Sequence, residues 1–278
     1  MRVASYNILS GGFNSYSYDS PLPERIDILK KVIKSINADF IGLIDTFRWD
    51  SLYTNKQLAE LFSYKSAYCI NLNDQRLIKK GHNNGITVLT NVPVDHFETV
   101  RIETRNAIKS TLKINKNTLD IFTVYLDDLS EDTRILQSKK LLQNVSQDNP
   151  TIVMGDLNTL SEHDIPKIIP FIDQLATESP QIYEGLHSVL SEMKRGEVIK
   201  MFEAYGLKDA GKNEGPTAPT RLVPMKIENP ILRIDYAFHT DNIQVLNFKI
   251  LKDTIFDQAS DHYPIVFELE YLDSSNSF

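Results

Sequence analysis

Apolar positions along this chain of 278 residues follow two rhythms. Short alternating or continuous apolar runs at 3–8, 40–44, 67–72, 86–90, 97–102, 110–114, 119–126, 151–155, 234–239, 245–251 and 264–271 predict β-strands. A period near 3.6 predicts helices elsewhere. Over 23–37, Ile26, Leu29, Val32, Ile33 and Ile36 share one face, and Pro23 suits a first-turn position. Over about 131–145, acidic residues open a second helix and Ser130 stands at its N-cap. The stretch at about 161–207 is mostly helical in character, with Ile165, Ile168, Ile169, Phe171, Ile172 and Leu175 clustered. Asn115-Lys116-Asn117 between two strand runs is a hairpin signal, because asparagine tolerates the left-handed backbone of a tight turn, and 211–224 reads as a loop. Many strands, few amphipathic helices and no internal repeat or linker-like break predict a single domain over 1–278. The expected fold class is α/β, a four-layer α/β/β/α sandwich of two packed sheets flanked by helices.

Composition narrows the partners. Hydrophobic residues make up 41% and charged residues 24%, an ordinary globular mixture, and no apolar run approaches the roughly 20 residues that span a bilayer. A net charge of −7, with lysine pairs scattered at 30–31, 79–80 and 139–140, offers no extensive basic surface for nucleic acid. The lone cysteine, Cys69, makes no internal disulfide, and a strand that starts beside Met1 leaves no room for a signal peptide. The expected compartment is the cytoplasm.

The chemistry-bearing residues gather at strand ends. The run 151–155 delivers Asp156 and Asn158 two positions apart, and in extended chain such side chains share a face and can hold a water between them. The alternative is an Asx turn after the strand. His262 needs a partner for one ring nitrogen, and Asp235 is a better candidate than its neighbour Asp261; a carboxylate there would raise the imidazole pKa. The alternative is a turn histidine capped by a nearby acid. With Asn7 at the end of the first strand, these groups repel one another unless a cation sits among them. His82, His96, His163, His187 and His239 have no metal-ligand spacing. The aromatic loop 11–18 and Trp49 offer either stacking surface for a base or head group, or ordinary packing.

The order of motifs carries a resemblance. Asn7 in Ser5-Tyr6-Asn7-Ile8, Gly85 before its strand, Gly155-Asp156-Leu157-Asn158, Arg233-Ile234-Asp235-Tyr236 and Ser260-Asp261-His262-Tyr263-Pro264 resemble the endonuclease/exonuclease/phosphatase, or DNase I-like, superfamily, from residue 1 to about 271. The resemblance implies mixed sheets in the four-layer sandwich and Mg²⁺-dependent (or Mn²⁺-dependent) cleavage of phosphoesters by water attack on phosphorus. It places Asn7 near metal and phosphate, Asp156 as activator of the water, and Asn158 as its orienting partner or a phosphate contact. Asp261 would help hold the metal, and His262, paired with Asp235, would contact the scissile phosphate and act in acid/base transfer. Whether Asp156 or His262 activates the water stays open.

Two positions depart from the family pattern. Asp45, in Leu43-Ile44-Asp45, stands where the family carries a metal-binding Glu, and Mg²⁺ tolerates little change in ligand reach. Tyr125, in Val124-Tyr125-Leu126-Asp127, stands where many members have a histidine; its phenol can donate to a phosphate oxygen. Leu9 replaces an acid typical of abasic-site repair enzymes, and Arg134 reads as a structural tie. The substrate expected is a phosphoester, whether nucleic acid, nucleotide or phospholipid head group. A nuclease-type phosphodiesterase leads, ahead of a phosphatase or phosphodiesterase for phospholipids or small phosphoesters, and of a binding module that has lost catalysis. The segment 161–207 is either a specificity surface or an outer helical layer, and the oligomeric state is open.

Overall fold

The structure, a computed structural model, describes residues 1–13, 15–17, 20–114, 117–146, 149–223 and 230–271. Asn14, Tyr18, Asn115, Lys116 and Pro224, which entered the loop and hairpin readings, lie outside the described residues. In chain order the first half contains β1 (Arg2–Asn7), β2 (Ser15–Ser17), β3 (Ser20–Leu22), α1 (Ile26–Ile36), β4 (Phe40–Ile44), α2 (Trp49–Leu52), α3 (Asn55–Phe62), β5 (Ser66–Asn71), α4 (Gln75–Lys79), β6 (Gly85–Thr90), β7 (Val94–Ile102) and β8 (Arg105–Ile114). The second half contains β9 (Asn117–Tyr125), α5 (Glu131–Leu142), β10 (Thr151–Asp156), α6 (Ile165–Glu178), α7 (Pro180–Met193), α8 (Glu197–Ala204), β11 (Lys208–Asp209), β12 (Asp235–His239), β13 (Ile243–Ile250) and β14 (Ile265–Tyr271).

Two six-stranded sheets form, in the orders β13-β14-β1-β4-β6-β5 and β11-β12-β10-β9-β8-β7. Each is mixed: β1 runs parallel to β4 and β9 parallel to β10, while the other neighbours are antiparallel. Period-two alternation sorts the side chains. On β4, Phe40 and Ile44 face the second sheet and meet Ile121, Ile152 and Met154, whereas Ile41 and Leu43 face outward onto Leu29, Val32 and Leu58 of α1 and α3. On the far side, α5 and α8 set Leu141, Val198 and Phe202 against Phe122, Val153 and Phe238. The result is the four-layer sandwich. Gly42, between Phe40 and Ile44, lets the sheets approach closely at their centre, since a Cβ there would lie 2.6 Å from Thr123 Cγ2. The two parallel pairs thus face each other, and the C-terminal ends of β1, β4, β9 and β10 meet at one rim.

Helix boundaries follow local chemistry. Ser130 caps α5 as expected, its side chain accepting the Thr133 N–H at 3.3 Å. α1 begins only at Ile26 with Arg25 at the N-cap, so Pro23 lies outside the first turn it was expected to occupy. The segment 161–207 divides into α6, α7 and α8; α8 joins the outer layer, while α6 and α7 build a separate apolar cluster with Leu160 and Ile234. Among the described residues no helix is long and apolar enough to cross a membrane.

Candidate active site

Asp156 is the last residue of β10, flanked in register by Tyr125 on β9 and Asp235 on β12. The residue before it, Gly155, has φ of 148°, and a Cβ there would collide with the Val124 carbonyl. Only glycine fits, so the Gly-Asp pairing is a backbone requirement. Asn7, at the end of β1 in the other sheet, reaches across to donate from Nδ2 to Asp156 Oδ2 at 2.9 Å. The Asn158 backbone N–H donates to Asp156 Oδ1 at 3.0 Å, so both carboxylate oxygens are held.

His262 precedes β14. Its Nδ1 lies 2.8 Å from Asp235 Oδ2 and its Nε2 lies 3.9 Å from Asp156 Oδ2. Ser260 Oγ donates to the Asn7 carbonyl at 2.7 Å and accepts the His262 N–H at 3.3 Å, fastening this loop to the end of β1. Asp156, Asp235 and His262 each bring one ligand atom within 4.8 Å of the others. Asp261 stands beside them, with Oδ1 3.3 Å from the Ser260 hydroxyl.

Asp45 follows β4 with φ of 60°, a left-handed conformation that aspartate tolerates better than most residues. Oδ2 accepts the Ser10 N–H at 2.9 Å, and the Asp45 carbonyl accepts the Gly11 N–H at 2.7 Å. Trp49 is buried, stacks on Phe62 at 5.2 Å and donates from Nε1 to the Gly11 carbonyl at 2.9 Å. It belongs to the core and clamps the loop after β1. Gly85 opens β6 where a Cβ would crowd the Ile70 carbonyl at 2.7 Å and Thr46 Oγ1 at 3.0 Å.

The extended-face reading of Asp156 and Asn158 is corrected. β10 ends at Asp156, Asn158 turns to φ of 51°, and the two form an Asx turn, the alternative considered for them. The Asn158 Nδ2 donates to the Leu126 carbonyl at 3.2 Å instead of sharing a water-holding face with Asp156.

Burial dominates the electrostatics. It raises the Asp45 carboxyl from 3.8 to about 6, with Asp261 adding to the rise and the Ser10 hydrogen bond opposing it. It raises Asp156 to about 7, helped by Asp235 and opposed by His262 and Asn7. For His262 burial pulls downward, but the charge and hydrogen bond of Asp235 override it and lift the imidazole to about 10. His262 is therefore a cation at neutral pH. Burial and then the charges of Asp45 and Asp156 hold the Tyr125 phenol well above its ordinary value, so it stays a donor.

The donor set fits a hard divalent cation. Carboxylate oxygens dominate it, and two of them, Asp45 Oδ1 and Asp235 Oδ1, are buried without a hydrogen-bond partner among the described residues. A buried carboxylate oxygen left unpaired is costly, and a cation is the partner that satisfies it. Asp156, Asp235 and His262 group tightly as an ion-paired file, and Asp45 brings an unpartnered carboxylate oxygen for a cation.

Residues 4–262 match the Endonuclease/Exonuclease/phosphatase family. The chain belongs to that family. Its members are hydrolases acting on phosphoesters and generally depend on divalent metals. An endonuclease/exonuclease/phosphatase from Beutenbergia cavernae shares 19% identity over 97% of this chain and 71% of that one, with a TM-score of 0.68. An AP endonuclease from Archaeoglobus fulgidus shares 13% identity over 97% and 99%, with a TM-score of 0.67. A mannosyl-6-phosphatase from Bacteroides thetaiotaomicron shares 16% identity over 98% and 100%, with a TM-score of 0.62. The likeness to these three is one of fold. Among curated proteins none matches the chain.

Two arginines beside this family member's rim escaped the sequence. Arg25 is buried, donating from Nε to the Ala259 carbonyl at 3.1 Å and from Nη2 to the Leu9 carbonyl at 2.7 Å, which straps the loop after β1 to the loop that carries Asp261. Arg105 is buried under the Tyr125 ring, 4.9 Å from its centroid, and bonds Asp74 Oδ2 at 2.9 Å. Partners 234 and 31 residues away leave no local signal. Arg134, by contrast, ties Glu131 to the Asp127 carbonyl, the structural role expected of it.

Proposed function

We propose that the chain is a divalent-metal-dependent phosphodiesterase, with the described sheets and helices acting as one catalytic domain. The observation that carries this reading is the file Asp235, His262, Asp156, a cationic imidazole held between a fixed carboxylate and one whose pKa of about 7 lies at working pH.

Asp156 takes the proton of the attacking water, which places oxygen on phosphorus as the bond to the departing ester oxygen breaks; that oxygen leaves with the bonding pair and takes its proton from solvent. Asn7 Nδ2 fixes the oxygen that faces His262. In-line displacement puts entering and leaving oxygens on opposite sides of phosphorus, so two groups 3.9 Å apart cannot serve one each. His262 therefore binds a non-bridging oxygen and stabilises the charge that develops there, a role suited to a permanent cation. Tyr125 donates a second hydrogen bond to the phosphoryl group. Asp45 and the neighbouring carboxylates, Asp261 among them, would hold a divalent cation, which would supply further charge neutralisation for the phosphoryl group.

The test is hydrolysis of bis(p-nitrophenyl) phosphate with Mg²⁺ or Mn²⁺ and with chelator, comparing the native chain with Asp156→Ala and His262→Ala. Metal-dependent turnover that falls by about 10²–10⁴-fold in each variant supports the reading. Turnover that survives chelation, or that Asp156→Ala leaves intact, contradicts it.

A further inference from the structure

α6 and α7 bury little against the sheets. Between them and the segments 217–223 and 231–234 lies a cavity of about 290 Å³, at the small end of the roughly 300–1,000 Å³ typical of small-molecule sites. One side is shared with the rim, where Asn158, Asp261 and His262 line it with Asp128 beside them. The other side is hydrocarbon. Phe171 comes from α6, and Leu186, Val189, Leu190 and Met193 come from α7. Phe171, Leu186 and Val189 are only half-buried, so apolar surface remains for an occupant to cover.

Among the described residues, the backbone N–H groups of the walls away from the rim are already taken. Ala218 and Leu232 exchange N–H and carbonyl bonds at 2.9 and 2.8 Å, and the Ile231 N–H donates to the Ala218 carbonyl at 2.9 Å. The Ile234 N–H is taken by Thr217 Oγ1 at 3.3 Å. A nucleobase or sugar entering here would surrender its bonds to water without replacement. A single aromatic wall residue, among the described residues, is a poor stacking platform for a base.

We propose that this cavity is the subsite for an aliphatic ester group: the substrate is a phosphoester of a short hydrocarbon chain, with its phosphate at His262 and its chain between α6 and α7. The inference rests on the phosphoester reading of the rim. It gives α6 and α7 a purpose, since they make the apolar wall that the two sheets alone do not provide. The net charge of −7 agrees with a small apolar ester in place of a polyanion.

The test separates binding from turnover. Calorimetry with Mg²⁺ compares methyl-, butyl- and hexylphosphonate on the native protein and on the uncharged variants Val189→Asn and Leu186→Gln. Affinity is expected to tighten by up to about fourfold per added methylene, the worth of one buried CH₂. That gain should collapse in both variants while methylphosphonate binds as before. Equal affinities across the series, no binding by any member, an unchanged series in the variants, or tighter binding of ribose 5-phosphate than of hexylphosphonate would each overturn the proposal. Turnover of methyl and hexyl p-nitrophenyl phosphate is followed in parallel. Chain-length-dependent affinity without turnover sinks the catalytic reading and leaves the subsite standing; turnover with flat affinity does the reverse.

Discussion

Two clusters of buried charge lie next to each other and are built on opposite plans. Behind Tyr125, Arg76 and Arg105 face Asp74, Asp127 and Asp128, with N···O distances from 2.5 to 3.9 Å. At the rim, Asp45, Asp156, Asp235 and Asp261 face one imidazole, and the buried Arg25 spends its hydrogen bonds on backbone carbonyls. The consequence appears in the carboxyls. In the first cluster burial is outweighed by the arginines, which hold Asp74 and Asp128 below their ordinary value; at the rim burial wins and raises Asp45 and Asp156. The lesson is that buried charge alone does not mark a functional site. Positive charge already supplied marks architecture, and positive charge left out marks a place for a ligand.

The sharpest way to break this contrast is Asp156→Asn. Turnover should fall by about 10²–10⁴-fold. The metal-free melting temperature at pH 8 should stay at or above that of the native chain, because a buried charge without sufficient compensation has been removed. A clear loss of stability would place Asp156 with the architectural cluster.

Arg105→Ala should do the opposite. It leaves buried Asp74 with only the half-exposed Arg76 as a charged partner and should cost about 3–5 kcal/mol in denaturant unfolding. Turnover per folded molecule should suffer far less than in Asp156→Asn. A loss under about 1 kcal/mol would mean the network is ornament to the fold.

Asp45→Asn is the smallest and most diagnostic. Its folded pKa of about 6 exceeds the ordinary 3.8, so as pH rises the unfolded chain ionises first and the folded state loses ground between about 4 and 6. Without metal, the stability of Asp45→Asn relative to the native chain should therefore climb by about 1–3 kcal/mol across that window, and hold above it. Unfolding curves at pH 4, 5, 6 and 7 with chelator read this directly. A constant difference across the four would mean that Asp45 is not penalised by burial.

The contrast also explains what the chain disclosed in one dimension. Continuous apolar runs located the central strands, because β4 buries Phe40 and Ile44 against the second sheet and Ile41 and Leu43 against the helices. Gly155-Asp156 was legible because glycine is forced by the Val124 carbonyl, and Asp235 was legible as the partner His262 needs. The elements α2, α4, β2, β3 and β11 were missed because they carry too few residues to show a period, and α3 was missed although Thr54 and Gln57 form a capping box at its start. At Asn158 the sequence left an extended face and an Asx turn both open, and the left-handed backbone there selects the turn. Arg25 and Arg105 were invisible because their roles exist only once distant loops meet. The apolar cavity was hidden for the same reason: Val189, Ala218 and Leu232 read as ordinary hydrophobic positions until the fold brings them beside His262.

The central claim is that the rim lacks a positive charge that a divalent cation provides, and calorimetric titration of the metal-free protein with Mg²⁺ and Mn²⁺ tests it most directly. The native chain should bind, releasing protons near neutral pH as Asp156 ionises, and Asp45→Asn should bind about tenfold or more weakly. No binding by the native chain, or equal binding by Asp45→Asn, would contradict the claim.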